Sequence, residues 1–514
     1  MTNIYRLSPE KNKTRRKIRT LCLFLAFLLC GAALSFTAFA AETKPGQNDT
    51  VKKATVIEVD TKYTDNLATD EDIDFYKFSL TSQGYVSIDF THTSFNWDDG
   101  DPWYLIFYTS KFTKLYKMDI PTKKSKVSTP KIGLPKGTYY IKIGSQDMCW
   151  TSRKYGVQVN YTAATDWETE NNDSGSRADE IKVNQKYNGA LTYFYMDNDV
   201  DYYKFTTTEK GCARLTFTHA SINDDEIFWI VTLYDAEFNQ LTSIDVSGKK
   251  SAVSSAYVGI PAGTYYVYVE GWEECEDMYG IQVAFTASSI WETELNDSSA
   301  TADTIVKNKT YNGSLATDND TDYYKFVMKT TDYASFTFKH TSFNEGWSFW
   351  YVTLYDKDFN EIKCLESTGK KATVYTSLVK LKKGTYYIVV EKDSYSSRTY
   401  SLRVRSAYTV KYHSTASSAA SGTVTKVKYG VSTKTKTVEQ LKFSVSGKTF
   451  AGWRVYREYD GKWAATKTGS DKLEWVALTN GKLPSGYSYK LYENGESVAK
   501  TAPSGVVHFY GQWK

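Results

Sequence analysis

Histidine is nearly absent from this chain, with five residues in 514, and proline (9), methionine (6) and cysteine (6) are scarce as well. So few imidazoles leave little material for metal or acid–base catalysis. No HExxH, GxSxG or Gly-rich phosphate loop occurs in the sequence, so the common zinc-hydrolase, serine-hydrolase and nucleotide-binding signatures are missing. After residue 40 there is no long apolar run, and a mean hydropathy of −0.48 excludes a polytopic membrane protein. What is abundant is aromatic: 42 Tyr, 25 Phe and 13 Trp. Aromatic and β-branched residues between polar turns point to strands. At roughly 150 residues per domain the length calls for three or four cores.

The first 40 residues read as a signal peptide. Seven basic residues from Arg6 to Arg19 precede an apolar run from Leu21 to Leu34, and Ala38-Phe39-Ala40 gives the small-x-small cleavage pattern. A retained anchor is the alternative, disfavoured by the shortness of the run. Cleavage removes the chain's apparent basicity and leaves two electrostatic regions. Residues 407–514 hold 16 Lys and Arg against 7 Asp and Glu, and residues 41–406 are correspondingly acidic. Of the cysteines, Cys149, Cys212, Cys275 and Cys364 stay in the exported chain without C-x-x-C spacing. Cys212 with Cys275 is the pairing that falls within one repeat, and spacing alone does not establish it.

Internal repetition is the strongest signal. DEDIDFYKF at 70–78, DNDVDYYKF at 197–205 and DNDTDYYKF at 318–326 are one pattern, each followed by Gly-Thr-Tyr-Tyr at Gly137, Gly263 and Gly384. A period near 120 residues is too long for a solenoid, so each copy should own a core. Short alternating or apolar runs separated by Gly, Asn, Asp and Ser clusters describe a β-sandwich in each copy.

These motifs, with the Glu-x-Glu-x-Asn lead-ins at 168–172 and 292–296 and the Leu-Tyr-Asp strands at 233–235 and 354–356, resemble the bacterial pre-peptidase C-terminal domain, a family similar to the collagen-binding domains of bacterial collagenases. The resemblance covers about 360 residues. It implies an all-β fold of three tandem jelly-roll-like β-sandwiches (41–162, 163–287 and 288–406) that are non-catalytic and often bind calcium. From residue 407 the pattern changes. Tyr408-Thr-Val-Lys-Tyr412, Phe450-Ala-Gly-Trp453 and the terminal Tyr510-Gly-Gln-Trp513 look like the internalin B-repeat domain, which implies a small β-rich, β-grasp-like module at 407–514.

Calcium takes six to eight oxygen ligands. In the second repeat Glu168, Glu170, Asn172, Asp197, Asp199 and Asp201 supply candidates, and in the third Glu292, Glu294, Asn296, Asp318, Asp320 and Asp322. Alternate residues on an extended segment share a side, which makes Glu-x-Glu-x-Asn a one-sided ligand row. The family's calcium site matches these positions residue by residue, least closely at Asp197 and Asp318. The first repeat keeps Asn48 and Asp49 but carries Lys44 and Gly46 where the glutamates stand, so its site is doubtful. An EF-hand is excluded, because the glycine and closing glutamate of that loop are missing after Asp197.

His92, His219 and His340 recur before a Ser two residues on; an identical residue in every copy is better explained by a strand-end hydrogen bond than by catalysis. Trp103, Trp229 and Trp350 recur too, as stacking platforms for a ligand or, more in keeping with tryptophan's usual burial, as core. The reading is a secreted or cell-wall-associated, non-catalytic binding protein for extracellular polysaccharide or matrix protein. Its basic C-terminal module would be suited to anionic wall polymer, and neither nucleic-acid binding nor a membrane span after cleavage is expected. The alternative is an accessory subunit or targeting part of a secreted hydrolase.

Overall fold

A computed structural model describes residues 47–514 except 97–99, 147–149, 195–196, 272–276, 345, 378, 394–397, 415–426, 430–434, 436, 458–460 and 497–504. The signal-peptide reading, Lys44, Gly46, Cys149 and Cys275 therefore lie outside the described residues; Cys212 and Cys364 are free thiols. The chain gathers into two compact units. One is built on residues up to Asn171 with Asn188–Asp199 and Cys275–Met278, the other on Asn172–Tyr187, Val200–Glu274 and Tyr279–Lys514. No helix among the described residues is long and apolar enough to cross a membrane.

The protein is nearly all-β, made of repeated pairs of sheets. In the first pair one sheet runs Thr55–Val56, Ile73–Leu80, Gly137–Ser145, Trp103–Thr109, Lys114–Ile120. Its partner runs Lys62–Asp65, Tyr155–Ala163, Gly84–His92, Lys126–Ser128, with Ile132–Leu134 also on Gly84–His92. The sequence dictates the faces. In IDFYKFSL, alternate residues Asp74, Tyr76, Phe78 and Leu80 are buried, as a period of two requires. Val200–Thr207 and Asp322–Met328 repeat the pattern. Each pairs antiparallel with the strand that begins Gly-Thr-Tyr-Tyr, from Thr207 opposite Gly263 and Met328 opposite Gly384.

The recurring tryptophans belong to the cores. Trp103, Trp229 and Trp350 are 0–1% exposed, which removes them as ligand platforms: each stands at an inward position of its strand. The histidines pack on them, with ring centres 5.0, 4.5 and 4.3 Å away. Nδ1 of His92, His219 and His340 faces the carbonyl of the next residue at 3.0, 2.6 and 2.9 Å. Nε2 meets Pro121 O, Lys250 O or Ser367 Oγ. These are the strand-end hydrogen bonds expected from the triplication.

The third sandwich runs on into the C-terminal region without a break in backbone pairing. One 15-residue strand, Thr399–His413, pairs antiparallel with Asp332–His340 through its first half and parallel with Gly505–Trp513 through its second. The expected boundary at 406/407 lies inside this strand. Beyond it the sheet continues through Phe450–Arg457, Lys462–Lys467 and Leu473–Ala477. A short helix, Val438–Leu441, is closed by a capping box between Thr437 and Gln440. Tyr412, Trp453, Val455 and Phe509 form the core here.

Truncating a fully buried indole leaves a large cavity. Trp350→Ala should cost the third sandwich about 3–5 kcal/mol, read as a lower denaturant midpoint. If the indole were instead a surface platform, stability would not change.

Candidate metal centre

The third repeat shows the site most completely. Its lead-in, Trp291 to Asn296, threads along strand Val258–Ile260 of the second sandwich: Glu294 N donates to Gly259 O at 2.9 Å, and Glu292 N to Asn312 O at 2.9 Å. Gly259 is required for this approach, since a Cβ there would meet Glu292 O at 2.2 Å. The extended segment directs Glu292, Glu294 and Asn296 to one side, as the alternation anticipates. Asn296 is locked by Tyr323 N, which donates to its carbonyl at 3.1 Å.

Glu292, Asn296, Asp320 and Asp322 are all buried. Carboxylate oxygens of Glu292, Glu294 and Asp322 lie within 4.8 Å of one another. Two oxygens bound on opposite sides of one calcium ion, at about 2.4 Å each, would be about 4.8 Å apart. On the core side a pair of tyrosines closes the group. The Tyr324 and Tyr400 hydroxyls are 2.6 Å apart; Tyr324 donates to Glu292 Oε2 at 3.0 Å and Tyr400 to Asp322 Oδ2, with the Tyr400 oxygen also 3.2 Å from Glu292 Oε2. Ser314 N satisfies Glu292 Oε1 at 2.7 Å, and Ala316 N satisfies Asp320 Oδ2. What remains is informative: Glu294 Oε1, Asn296 Oδ1, Asp320 Oδ1 and Asp322 Oδ1 are buried without a hydrogen-bond partner. Orphaned oxygens on buried acids are costly, and Glu294 and Asp322 bring theirs on carboxylates that come within 4.8 Å of each other.

The electrostatics agree. Burial pushes Glu292, Glu294 and Asp322 well above the usual carboxylate range, and their mutual repulsion adds to it. Burial carries Asp320 up to about 6, against a backbone donor from Ala316 and the charge of Lys392, with Asp297 adding a further push upward. Lys392 donates to the carbonyls of Leu315 and Thr317, and its ammonium faces Asp320, Asp322 and Glu294. An all-oxygen set without thiolate or imidazole suits a hard cation such as calcium or magnesium.

The corresponding residues of the second repeat are divided between the two compact units, and each has partners within its own. Glu168 Oε1 accepts from Ala190 N at 2.7 Å, and Glu170 N donates to Gly133 O at 2.8 Å. Asn172 O accepts from Tyr202 N, and Asp201 from the Tyr279 hydroxyl, itself 2.7 Å from that of Tyr203. Thr192 donates twice to Asp199 Oδ2. Glu168, Asn172 and Asp201 are 0–1% exposed. Two predicted ligands fare differently. Asp318 is exposed, because the strand begins only at Asp322 and the preceding turn, in which Asp320 N reaches Thr317 O, leaves Asp318 outside. Asp197 lies in a two-residue strand paired with Tyr193–Phe194, and its side chain is outside the described residues.

The first repeat is closer to its siblings than its lead-in suggests. Asn48, Asp72 and Asp74 are 0–2% exposed. Phe75 N donates to Asn48 O at 3.0 Å, Ala68 N to Asp72 Oδ2, and Tyr155 to Asp74 Oδ2. The Asn48 carboxamide is buried without a partner. Where Tyr324 donates to a glutamate, Tyr76 donates to buried Asp65 at 3.3 Å. The sequence reading missed Asp65, Asp297 and the tyrosine pairs. The pairs were there to be found, in Tyr76, Tyr203 and Tyr324, two residues after the recurring Asp, and in Tyr155, Tyr279 and Tyr400, which recur with the repeat.

No family model matches the chain. Over 244 residues, 46% of its length, it is 25% identical to Collagenase ColT of Clostridium tetani, and the match spans 24% of that protein. Among solved structures it is similar to the pre-peptidase C-terminal domain of a collagenase from Bacillus anthracis (18% identity, 21% of this chain, 93% of that one, TM-score 0.17). It is also similar to the tandem CBM22-1-CBM22-2 domains of Xyn10C from Paenibacillus barcinonensis (12% identity, 41% of this chain, 83% of that one, TM-score 0.14).

Two outcomes follow from this geometry. Gly259→Ala should displace the lead-in and disturb the third cluster while the second core stays folded, visible as lost amide protection at 291–296. The raised carboxyls also set a pH dependence. A group whose folded pKa is raised contributes stability that is fully present below its unfolded pKa and lost as pH rises through the folded one. For Asp320 the window runs from its ordinary 3.8 to about 6. In chelator, the protein should lose stability across that window, and Asp320→Asn should flatten the loss; an identical slope in the variant would contradict the assignment.

Proposed function

We propose that the chain is a secreted, non-catalytic accessory protein whose three sandwiches, divided near residues 41–162, 163–287 and 288–406, are calcium-locked binding modules for extracellular polymer. The observation that carries this reading is the cluster of orphaned, buried oxygens at Glu294, Asn296, Asp320 and Asp322. A metal-free carboxylate group of this kind destabilises the fold, and a divalent cation reverses the sign. Because the glutamates sit on the segment between sandwiches, one ion would fasten the incoming linker to the module that follows. The similarity to a collagenase over part of that protein supports export and an accessory role. It also keeps alive a second reading, the targeting part of a secreted hydrolase. The C-terminal module, with its excess of Lys and Arg, would face anionic polymer.

Millimolar calcium should raise the melting temperature by mass action, and identical curves in calcium and chelator would refute the reading. Glu294→Gln gives the sharper result: by removing one repelling charge it should raise the melting temperature in chelator and remove the third module's calcium increment. A variant that lowers stability in chelator and keeps the increment would contradict it.

A further inference from the structure

The strand Thr399–His413 gives two sheets a common face. Its inward residues Tyr400, Leu402 and Val404 belong to the core of the third sandwich, and Tyr412 to the C-terminal core. The alternate residues Arg403, Arg405, Lys411 and His413, all half-buried, therefore stand together on the other face, along about 33 Å of extended chain. The other sandwiches supply the comparison. Counted from the paired tyrosines Tyr155, Tyr279 and Tyr400, the places of Arg403 and Arg405 hold Gln158 and Asn160 in the first repeat and Gln282 and Ala284 in the second. The arginines stand only in the sandwich whose strand runs on into the C-terminal sheet.

Neighbouring strands extend the row. Exposed Lys339 lies opposite Ser401, and exposed Lys380 opposite Tyr333. On the C-terminal side Lys411 lies opposite His508, and Arg454 opposite Tyr510. The two acids in the strands of this sheet are engaged elsewhere: Asp332 pairs with Lys307 at 3.7 Å, and Glu474 accepts from the Tyr487 hydroxyl at 2.8 Å. Among the described residues no carboxylate forms an ion pair with Arg403, Arg405, Lys411 or Arg454, and Nε of each arginine is buried without a partner.

Unpaired cations in a row call for an anion, and the length of the row for a linear one. The rings beside them select among linear polyanions. His413 lies face to face with Tyr510, ring centres 4.4 Å and planes 13° apart, and 5.2 Å from His508 at 16°. Arg454 covers the Tyr489 ring at 4.2 Å. These ring faces are taken, whereas a single-stranded nucleic acid needs open ones on which to stack its bases. A sheet face also has no projecting helix or ribbon to enter a duplex groove. Rings packed face to face present their edges, and those of His413, His508 and Tyr510 carry nitrogen and hydroxyl groups suited to sugar hydroxyls. A chain of linked sugar rings is stiffer than an acidic peptide and loses less freedom in lying along a straight row.

We propose that the outer face of the sheet shared by the third sandwich and the C-terminal region, along Arg403, Arg405, Lys411 and Arg454, binds a linear anionic polysaccharide. This assignment rests on the reading of the basic C-terminal region as a face for anionic polymer, and extends that face across the shared strand into the sandwich. Arginine forks suit the planar oxygens of a sugar carboxylate or sulfate.

The test is the affinity of the full exported chain for hyaluronate and dextran sulfate, beside neutral dextran, single-stranded DNA, polyglutamate and phosphatidylglycerol vesicles, at about 0.15 M salt to screen long-range attraction. The wild type should bind an anionic polysaccharide, and more tightly than any of the other four. R403Q/R405A, which installs the residues of the second repeat, should weaken that binding tenfold or more with an unchanged melting temperature, and K411Q/R454Q should do likewise. K329Q/K363Q removes two exposed lysines from the other sheet of the same sandwich and its turn, and should change affinity less than twofold. No binding to either polysaccharide, equal or tighter binding to dextran, DNA, polyglutamate or vesicles, or an equal loss in K329Q/K363Q would overturn the proposal. A loss confined to K411Q/R454Q would also overturn it, while leaving the C-terminal region by itself as the polymer face. The calcium-dependent melting shift is read separately and reports on the metal reading alone.

Discussion

Four carboxylates, Glu292, Glu294, Asp320 and Asp322, converge at the head of the third sandwich with Lys392 as the cation facing them, and much of the surrounding architecture serves to hold that arrangement. The tyrosine pair Tyr324 and Tyr400 braces two of the acids from the core side. Ser314 and Ala316 amides fix two more oxygens. The lead-in must run close along Gly259 to deliver both glutamates. Mutual repulsion among buried acids is unfavourable in a folded chain. Equivalent acids recur in the other repeats, with Glu168 taking a backbone donor and Asp201 a tyrosine hydroxyl in the second, and Asp65 and Asp74 each taking a tyrosine hydroxyl in the first.

The same segment performs two tasks, and this ties metal chemistry to the order of modules. Glu294 contributes its backbone N–H to one sandwich and its carboxylate to the next. A cation at the cluster would thus act on the linker as much as on the fold. At the other end of the third sandwich the connection is of another kind. There, strand Thr399–His413 belongs to both sheets, so ladder hydrogen bonds make the joint and no ion is needed.

Much of this was legible in the sequence because the repeat supplied its own alignment. Alternation in DNDTDYYKF pointed to the strand and its inward faces, and Glu-x-Glu-x-Asn to a row of side chains on one side of the lead-in. Asp318 came from the family pattern, which it fitted least closely, and it lies exposed in the turn before the chain becomes a strand. Asp65 was invisible because it comes from a different strand than the glutamate whose tyrosine contact it takes over. Nothing in the sequence marks Phe238 as unusual, and its φ of 61° is a conformational fact that composition does not carry. Trp229 is the converse case, a residue whose burial was the better reading from the start.

The central claim, that the buried acids exist to hold a divalent cation, predicts coupled proton release. Acids held partly protonated by burial, such as Asp320 with its pKa near 6, must give up protons when an ion binds. Calorimetric titration of calcium into chelator-stripped protein at pH 6, in two buffers of different ionisation enthalpy, measures this number. The account predicts a net release at pH 6, to which Asp320 alone contributes about half a proton, with the Asp320 share declining as the pH is raised. Calcium binding with no proton release at pH 6, or no binding heat at all, would contradict it.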